Sequence, residues 1–190
     1  MKTCVLITGT NAVGKSTLAE ELIGHYGGRA TISKVLTELQ DERVCFAGPY
    51  KIGNRYGGVD CFNCTSILAS VVEQGLKEHD VIYCEGMYLH TFGTNLLRAI
   101  FKADKQLIVF LHAPAEVIRQ RCYKRTGASG RGGTGTQFDK VFAKQRACAV
   151  SAKKWASIGV PVMCFDTSLV DMKEIVMQVA EKVEQLCYQQ

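Results

Sequence analysis

Short apolar runs alternate with longer amphipathic segments along this chain of 190 residues. The short runs predict strands at residues 4–7, 30–32, 44–47, 81–84, 107–111 and 161–165. The longer segments carry apolar residues at helical spacing and predict helices at 16–26, 34–40, 65–77, 94–102, 115–125, 138–158 and 169–187. The alternation predicts an α/β fold, with a parallel sheet flanked by helices, in one domain over residues 1–190.

The composition, with 47% hydrophobic and 22% charged residues, is that of an ordinary globular domain. No apolar run approaches the roughly 20 residues that span a bilayer. The N-terminal run leads into a glycine turn and indicates a strand, not a signal peptide, so we expect a cytoplasmic protein without membrane contact. Nine cysteines, an odd number, favour buried thiols in a reducing compartment. A metal or redox role for the Cys61/Cys64 pair is the alternative.

The strongest motif is a G-x-x-x-x-G-K-S sequence between the first predicted strand and the first predicted helix. In this context the motif predicts a phosphate-binding loop for ATP with Mg²⁺, because glycines and a helix N-terminus present backbone N–H groups to phosphate oxygens. Lys15 is expected to bridge the β- and γ-phosphates as a catalytic group, and Ser16 to ligate Mg²⁺. The predicted nucleotide-binding residues are Gly9, Thr10, Asn11, Ala12, Val13, Gly14, Lys15, Ser16 and Thr17.

Glu85 ends the strand predicted at residues 81–84. Ligands of open parallel sheets bind at the carboxyl ends of the strands, so Glu85 is expected near the phosphate-binding loop. It is a candidate for a catalytic role, holding Mg²⁺ through a water or contacting the acceptor. The alternative is an acid that caps the next segment.

Two arginines, Arg121 and Arg125, lie four residues apart on one predicted helix face, ahead of the glycine-rich stretch 126–137. Guanidinium groups at this spacing can clamp phosphate oxygens, and glycines suit a lid that closes over ATP. Both arginines are therefore candidate catalytic and ATP-binding residues in a lid over about 115–137. Arg119 and Lys124 are interpreted as solvated charges.

A polar, glycine-rich loop over about residues 48–60 occupies the place of a possible acceptor site. Its aromatics could stack on a base and its cations could hold a phosphate. Asp60 is a candidate general base for an alcohol acceptor, or else the N-cap of the following helix. The candidate acceptor-binding residues are Arg43, Tyr50, Lys51, Arg55 and Tyr56.

Together these features resemble the small P-loop kinases of the nucleotide- and gluconate-kinase type. The likeness rests on the phosphate-binding loop, the Glu85-Gly86 strand end, the arginine-bearing helix and the Asp166-Thr167-Ser168 segment. It implies a P-loop NTPase fold, an arginine-bearing lid, an ATP-dependent phosphotransferase, and a loop at 166–168 beside the adenine. A P-loop switch that hydrolyses ATP slowly is the alternative class, which a water-excluding lid argues against.

The segment at residues 50–60 is similar to that of phage kinases that phosphorylate 5-hydroxymethyluracil in DNA. This narrower resemblance implies a DNA acceptor, DNA hypermodification for restriction evasion, and a location in the host cytoplasm. The alternative acceptor is a free nucleotide, nucleoside or small alcohol. The chain lacks the Asp-Gly-Phe-Pro-Arg segment of nucleoside monophosphate kinases and reads Glu85-Gly86-Met87-Tyr88 there. Neither the oligomeric state nor the DNA sequence context follows from the sequence.

Overall fold

The computed structural model describes residues 1–51, 57–62, 66–126 and 135–188. Its strands within these residues are β1 (Thr3–Thr8), β2 (Arg29–Ile32), β3 (Leu36–Leu39), β4 (Val44–Ala47), β5 (Val81–Glu85), β6 (Lys105–His112) and β7 (Val162–Asp166). Its α-helices are α1 (Lys15–His25), α2 (Ser66–Glu78), α3 (Thr94–Ile100), α4 (Ala115–Thr126), α5 (Gly135–Ser157) and α6 (Met172–Tyr188). Short 3₁₀ helices in the described residues cover Gly58–Cys61 and Met87–His90.

The strands form one sheet in the order β2-β3-β4-β5-β1-β6-β7. The pairs β4/β5, β5/β1, β1/β6 and β6/β7 are parallel. In the β1/β5 pair, Ile7 lies opposite Glu85. The segments that follow β1 and β5 therefore begin side by side at the carboxyl edge of the sheet.

The edge of the sheet departs from the expected all-parallel arrangement. Residues 34–40, predicted to be helical, contain the strand β3, which pairs antiparallel with both β2 and β4. A turn at Ser33 explains the difference: its Oγ accepts the backbone N–H groups of Val35 and Leu36. These side-chain bonds reverse the chain, so the next residues pair back onto the sheet and do not coil into a helix.

The hydrophobic core lies on both faces of the sheet, and successive residues of β1 alternate between the two. Val5 and Ile7 pack with α1 and α6, whereas Cys4 and Leu6 pack with α2, α3 and Trp155 of α5. A central strand covered on both faces explains why the middle strands are continuously apolar. The predicted α/β fold is thus confirmed, with a sheet that is parallel except in the pairs β2/β3 and β3/β4.

The cysteines follow their predicted environment in part. Cys4, Cys45 and Cys84 are buried, but Cys164 and Cys61 are exposed. Cys64 lies outside the described residues, so the Cys61/Cys64 pair stays a hypothesis.

Helix length and hydropathy also bear on membranes. Within the described parts of the chain, every helix is too short or too polar to span a bilayer.

Candidate active site

The phosphate-binding loop connects β1 to α1, as its sequence predicts. Gly14 has a φ of 95°, a left-handed conformation that glycine adopts readily, and Lys15 begins the helix. The Lys15 side chain is buried, and its Nζ donates to the Thr10 carbonyl oxygen at 2.9 Å. Thr10 Oγ1 donates in turn to the carbonyl oxygen of Val141 on α5 at 2.7 Å. The loop is therefore closed by its own lysine and fastened to α5.

The other predicted nucleotide-binding residues differ in their exposure to solvent. Asn11, Ser16 and Thr17 are exposed, whereas Ala12 and Val13 are buried in the core. Hydroxyl and amide groups are thus open to a ligand at three positions. At Ala12 and Val13, any contact to a phosphate must come from the backbone.

Glu85 is the buried acid of the site. Glu85 is 3% exposed. Its carboxylate accepts a hydrogen bond from the Tyr50 hydroxyl at 3.3 Å and is also hydrogen-bonded to Ser16. Burial raises the pKa of Glu85 to about 7, against an opposing effect of the Lys15 charge. Glu85 thus lies next to Ser16 and Lys15 of the phosphate-binding loop, where the sequence predicted it.

Tyr50 lies in the protein interior and not at a surface where it could stack on an acceptor. The residue is 3% exposed, and its ring packs edge-on against Phe46. Its backbone N–H donates to Thr37 Oγ1 at 2.9 Å. The ring has no face open to a ligand, so Tyr50 positions Glu85 through its hydroxyl. The sequence did not reveal this role.

A contact between two glycines brings the Asp60 segment to the site. Gly48 follows β4 and packs against the backbone of Gly58, where any side chain on Gly48 would clash. Gly58 has a φ of 70°, and a Cβ there would lie 2.8 Å from both Glu85 Oε2 and Tyr50 Oη. The 3₁₀ helix Gly58–Cys61 can therefore approach β5 only because this position has no side chain.

Asp60 lies beside the other charged groups as a result. A Cβ on Gly86 would be 2.9 Å from Asp60 Oδ1, so the two segments are in contact. Burial lowers the pKa of Lys15 and raises that of Glu85, while the charge of Asp60 raises the pKa of both. Asp60 lies within the 3₁₀ helix Gly58–Cys61, which is followed by Phe62 in an extended conformation, so it is not the N-cap of α2 that the alternative predicted.

Arg121 joins the phosphate-binding loop to the segment after β7. Its guanidinium donates to Thr167 Oγ1 at 2.8 Å, to the Thr167 carbonyl oxygen at 2.7 Å, and to the Ala12 carbonyl oxygen at 3.4 Å. Thr167 belongs to the 166–168 segment expected beside the adenine. Arg119, by contrast, lies over the rings of Phe138 and Phe142.

Arg43 is not brought to this site. It precedes β4 and lies at the amino-terminal edge of the sheet, where its carbonyl oxygen accepts the N–H groups of Asp80 and Val81. Its guanidinium pairs with Asp41 at 2.9 Å. The parallel strands separate Arg43 from the phosphate-binding loop by their full length, so we do not retain it as an acceptor-binding residue.

The remaining predicted residues are placed in part. Lys51 is exposed, at the border of the described residues. Arg55, Tyr56 and the glycine-rich part of the proposed lid lie outside the described residues, as does the side chain of Arg125. Their roles stay predictions.

Lys144 of α5 is a charged residue near Lys15 that the sequence analysis did not single out. Burial lowers the pKa of Lys15, and the neighbouring charge of Lys144 lowers it further. Cys148, one turn along the same helix, is buried against Thr8 at the end of β1. The i, i+4 spacing of Lys144 and Cys148 was a signal that both share a face. The sequence did not show that this face covers the phosphate-binding loop.

Comparisons with known proteins give structural matches alone. No protein-family model matches the chain, and no curated protein does. Over 98% of this chain and 99% of the other, it is similar to YorR of Bacillus subtilis, solved with phosphorylated GDP, at 18% identity and a TM-score of 0.58. A gluconokinase from Sinorhizobium meliloti matches at 14% identity over 97% and 93% of the two chains, with a TM-score of 0.53.

A third match is a shikimate kinase from Acinetobacter baumannii in complex with shikimate. It is 15% identical over 100% of this chain and 97% of the other, with a TM-score of 0.52. Identities this low show the fold and do not identify a substrate. The narrower resemblance to phage kinases of 5-hydroxymethyluracil receives no support from these matches. The chain has the fold of the small P-loop kinases.

Proposed function

We propose that the protein is an ATP-dependent phosphotransferase that moves the γ-phosphoryl group to a free small molecule, either a nucleotide, a nucleoside or a small alcohol. The observation that carries the proposal is the meeting of Lys15, Glu85 and Asp60 at the carboxyl edge of the sheet. A buried lysine on a phosphate-binding loop serves the donor. Two carboxylates beside it allow separate roles towards a cation and an acceptor.

Cations on three elements serve the donor phosphates. Lys15 would exchange the Thr10 carbonyl oxygen for phosphate oxygens, and Lys144 adds a second charge close by. Arg121 on α4 already contacts the phosphate-binding loop through the Ala12 carbonyl. Positive charge held in place before the reaction stabilises the charge that develops in the transition state.

Ser16 and Glu85 fit a magnesium ion. A hydroxyl and a carboxylate that are hydrogen-bonded to each other beside the lysine offer the oxygen ligands that Mg²⁺ takes. Lys15 and the hydrogen bonds of Glu85 offset its burial only in part, because its pKa is still raised, and a cation would stabilise the ionised form further. Mg²⁺ bound there with ATP would neutralise phosphate charge.

Asp60 is the acceptor-side acid of this proposal. The acceptor oxygen forms a bond to the γ-phosphorus, the bond from that phosphorus to the β,γ-bridging oxygen breaks, and ADP leaves. Asp60 takes the proton of the acceptor hydroxyl. Its exposure, in contrast to the burial of Glu85, suits a group that must meet an incoming molecule.

A small acceptor is favoured over DNA by the position of Tyr50. Aromatics of the 48–60 loop were expected to stack on a base, and the ring of Tyr50 is enclosed in the core. The gluconokinase and the shikimate kinase that share the fold are named for small hydroxyl compounds. The test below therefore includes DNA with 5-hydroxymethyluracil as the competing acceptor.

The test is an acceptor panel with γ-labelled ATP and Mg²⁺: free nucleosides, nucleotides, sugars and other small alcohols, plain DNA, and DNA containing hydroxymethylpyrimidines. We expect label on one class of small molecule and none on DNA. Label confined to the modified DNA would overturn the small acceptor and leave the kinase. ATP hydrolysis without transfer to any acceptor would support a P-loop switch and overturn the kinase.

Asp60→Asn should slow transfer by roughly a hundredfold or more while ATP and acceptor still bind, because the amide cannot take the proton. The comparison is of single-turnover rates and of binding measured by calorimetry. Cys61→Ser, at the next position of the same 3₁₀ helix, is the matched control and should retain its rate. A fully active Asp60→Asn protein would contradict this assignment and move the base role to Glu85.

A further inference from the structure

His79, at the junction of α2 and β5, has an unusual environment for a histidine. The residue is 7% exposed, and its Nδ1 lies 2.7 Å from the Glu42 carbonyl oxygen. A carbonyl oxygen can only accept, so Nδ1 carries the hydrogen. In the neutral ring Nε2 then holds a lone pair, which is the form of histidine that binds metals.

The Nε2 atom is buried and has no hydrogen-bond partner among the residues that the structure describes. The carboxylate of Glu38 on β3 is close to it, with Oε1 3.9 Å from Nε2, beyond hydrogen-bond distance. Glu78, the last residue of α2, completes a group of three whose ligand atoms lie within 4.8 Å of one another. A buried nitrogen with a free lone pair therefore lies within 4.8 Å of two carboxylate oxygens.

We propose that Glu38, Glu78 and His79 bind a divalent transition-metal cation of the Zn²⁺ class. Imidazole nitrogen suits zinc and its neighbours in the first transition row, whereas Mg²⁺ takes oxygen ligands. Two ligand atoms on a tetrahedral Zn²⁺ lie about 3.4 Å apart when its bonds are about 2.0–2.2 Å. The three ligand atoms would therefore have to move slightly closer together to bind one ion. The side chains of Glu38 and Glu78 can make this movement because they are half-exposed and exposed.

The surroundings of His79 support a ligand role over an ion pair. A metal-bound histidine commonly donates its second N–H to a carbonyl or a carboxylate, as Nδ1 does here to Glu42. In a histidine–glutamate ion pair, a protonated Nε2 would donate to Glu38 at hydrogen-bond distance. Three protein ligands on a partly exposed site leave a coordination position for water.

This site is separate from the phosphotransfer site. Glu38 lies opposite Cys45 near the start of β4, and His79 immediately precedes the segment that leads into β5. Both are at the amino-terminal end of β4 and β5, whereas Glu85 ends β5 at the carboxyl edge. A metal there would join β3, which pairs antiparallel with both of its neighbours, to the end of α2, and it would stabilise the folded protein.

The test uses the full chain stripped of metal, without ATP, titrated with Zn²⁺ and with Co²⁺ in calorimetry, absorption and thermal unfolding. We expect one ion per chain, retained in excess Mg²⁺. A Zn²⁺ concentration a hundredfold above the dissociation constant should raise the midpoint of unfolding by about 5–10 °C. The Co²⁺ spectrum should lack the charge-transfer absorption of a thiolate ligand, which separates this site from the nine cysteines.

His79→Asn keeps an N–H donor near the position of Nδ1 and removes Nε2, so it should fold and lose the ion. Glu38→Gln and Glu78→Gln should each weaken binding at least tenfold. Glu73→Gln is the matched control, because Glu73 is also on α2 but pairs with Lys102. This variant should bind the ion normally. The absence of one-to-one binding, a thiolate spectrum, or unchanged binding in His79→Asn and both Gln variants would each overturn the proposal.

Discussion

Lys15→Ala is expected to slow phosphoryl transfer on the order of a thousandfold or more, which corresponds to about 4 kcal/mol of transition-state stabilisation. The loss is large because the ammonium is buried, where its interaction with phosphate charge is little screened by water. The fold should survive, since burial lowers the pKa of Lys15 and the free protein gains little from keeping that charge. Circular dichroism would verify the fold, and single-turnover kinetics would give the rate.

The matched control for this variant is Lys124→Ala. Lys124 is exposed on α4, so its removal tests the general effect of losing one positive charge. It should leave the rate within a few-fold of the parent protein. A Lys15→Ala protein that turns over near normally would remove the donor side of the proposed function.

Glu85→Gln should abolish most of the transfer and at the same time stabilise the ligand-free protein at alkaline pH. Burial raises the pKa of Glu85 from an ordinary value of 4.5 to about 7, so the folded state binds the proton more tightly than the unfolded state. The stability from this group is complete below pH 4.5 and is lost as the pH rises through about 7. A shift of this size corresponds to roughly 3 kcal/mol.

The measurement is the free energy of unfolding in urea, without Mg²⁺ or ATP, at pH 5 and pH 8.5. Glutamine can still accept the hydrogen bond from the Tyr50 hydroxyl, but it cannot ionise. The free energy of unfolding of the variant should therefore fall less between pH 5 and pH 8.5 than that of the parent protein. Glu73→Gln, an exposed acid on α2, should follow the parent protein. Equal pH dependence in Glu85→Gln and the parent would show that Glu85 titrates normally. With Mg²⁺ and ATP bound, the advantage of glutamine should disappear.

Much of the donor site could be predicted from the sequence because its parts lie at the ends of strands. The order of strands and helices predicted a parallel sheet, and where neighbouring strands are parallel the residues that follow them meet at one edge. The proximity of Glu85 to Ser16 and Lys15 follows from that rule. The same rule excludes Arg43, which precedes its strand.

The positions of Tyr50 and Lys144 could not be predicted, because each depends on packing between distant segments. A tyrosine in a glycine-rich stretch has the appearance of a surface residue, and its burial depends on the approach of Gly58. Lys144 reaches the site because α5 returns over the phosphate-binding loop, fastened by Thr10 to Val141. At residues 34–40, side-chain bonds of one serine in the preceding turn decided between helix and strand.

The contact between Gly48 and Gly58 has a consequence for how acceptor preference could diversify. The two ends of the intervening segment touch, so the chain leaves the sheet and returns to it at one point. The entropy of closing a loop grows slowly with its length, so a change in the number of residues between Tyr50 and Gly57 should cost little free energy. Tyr50 and both glycines would have to stay, because their contacts hold Glu85 and the Asp60 segment in place.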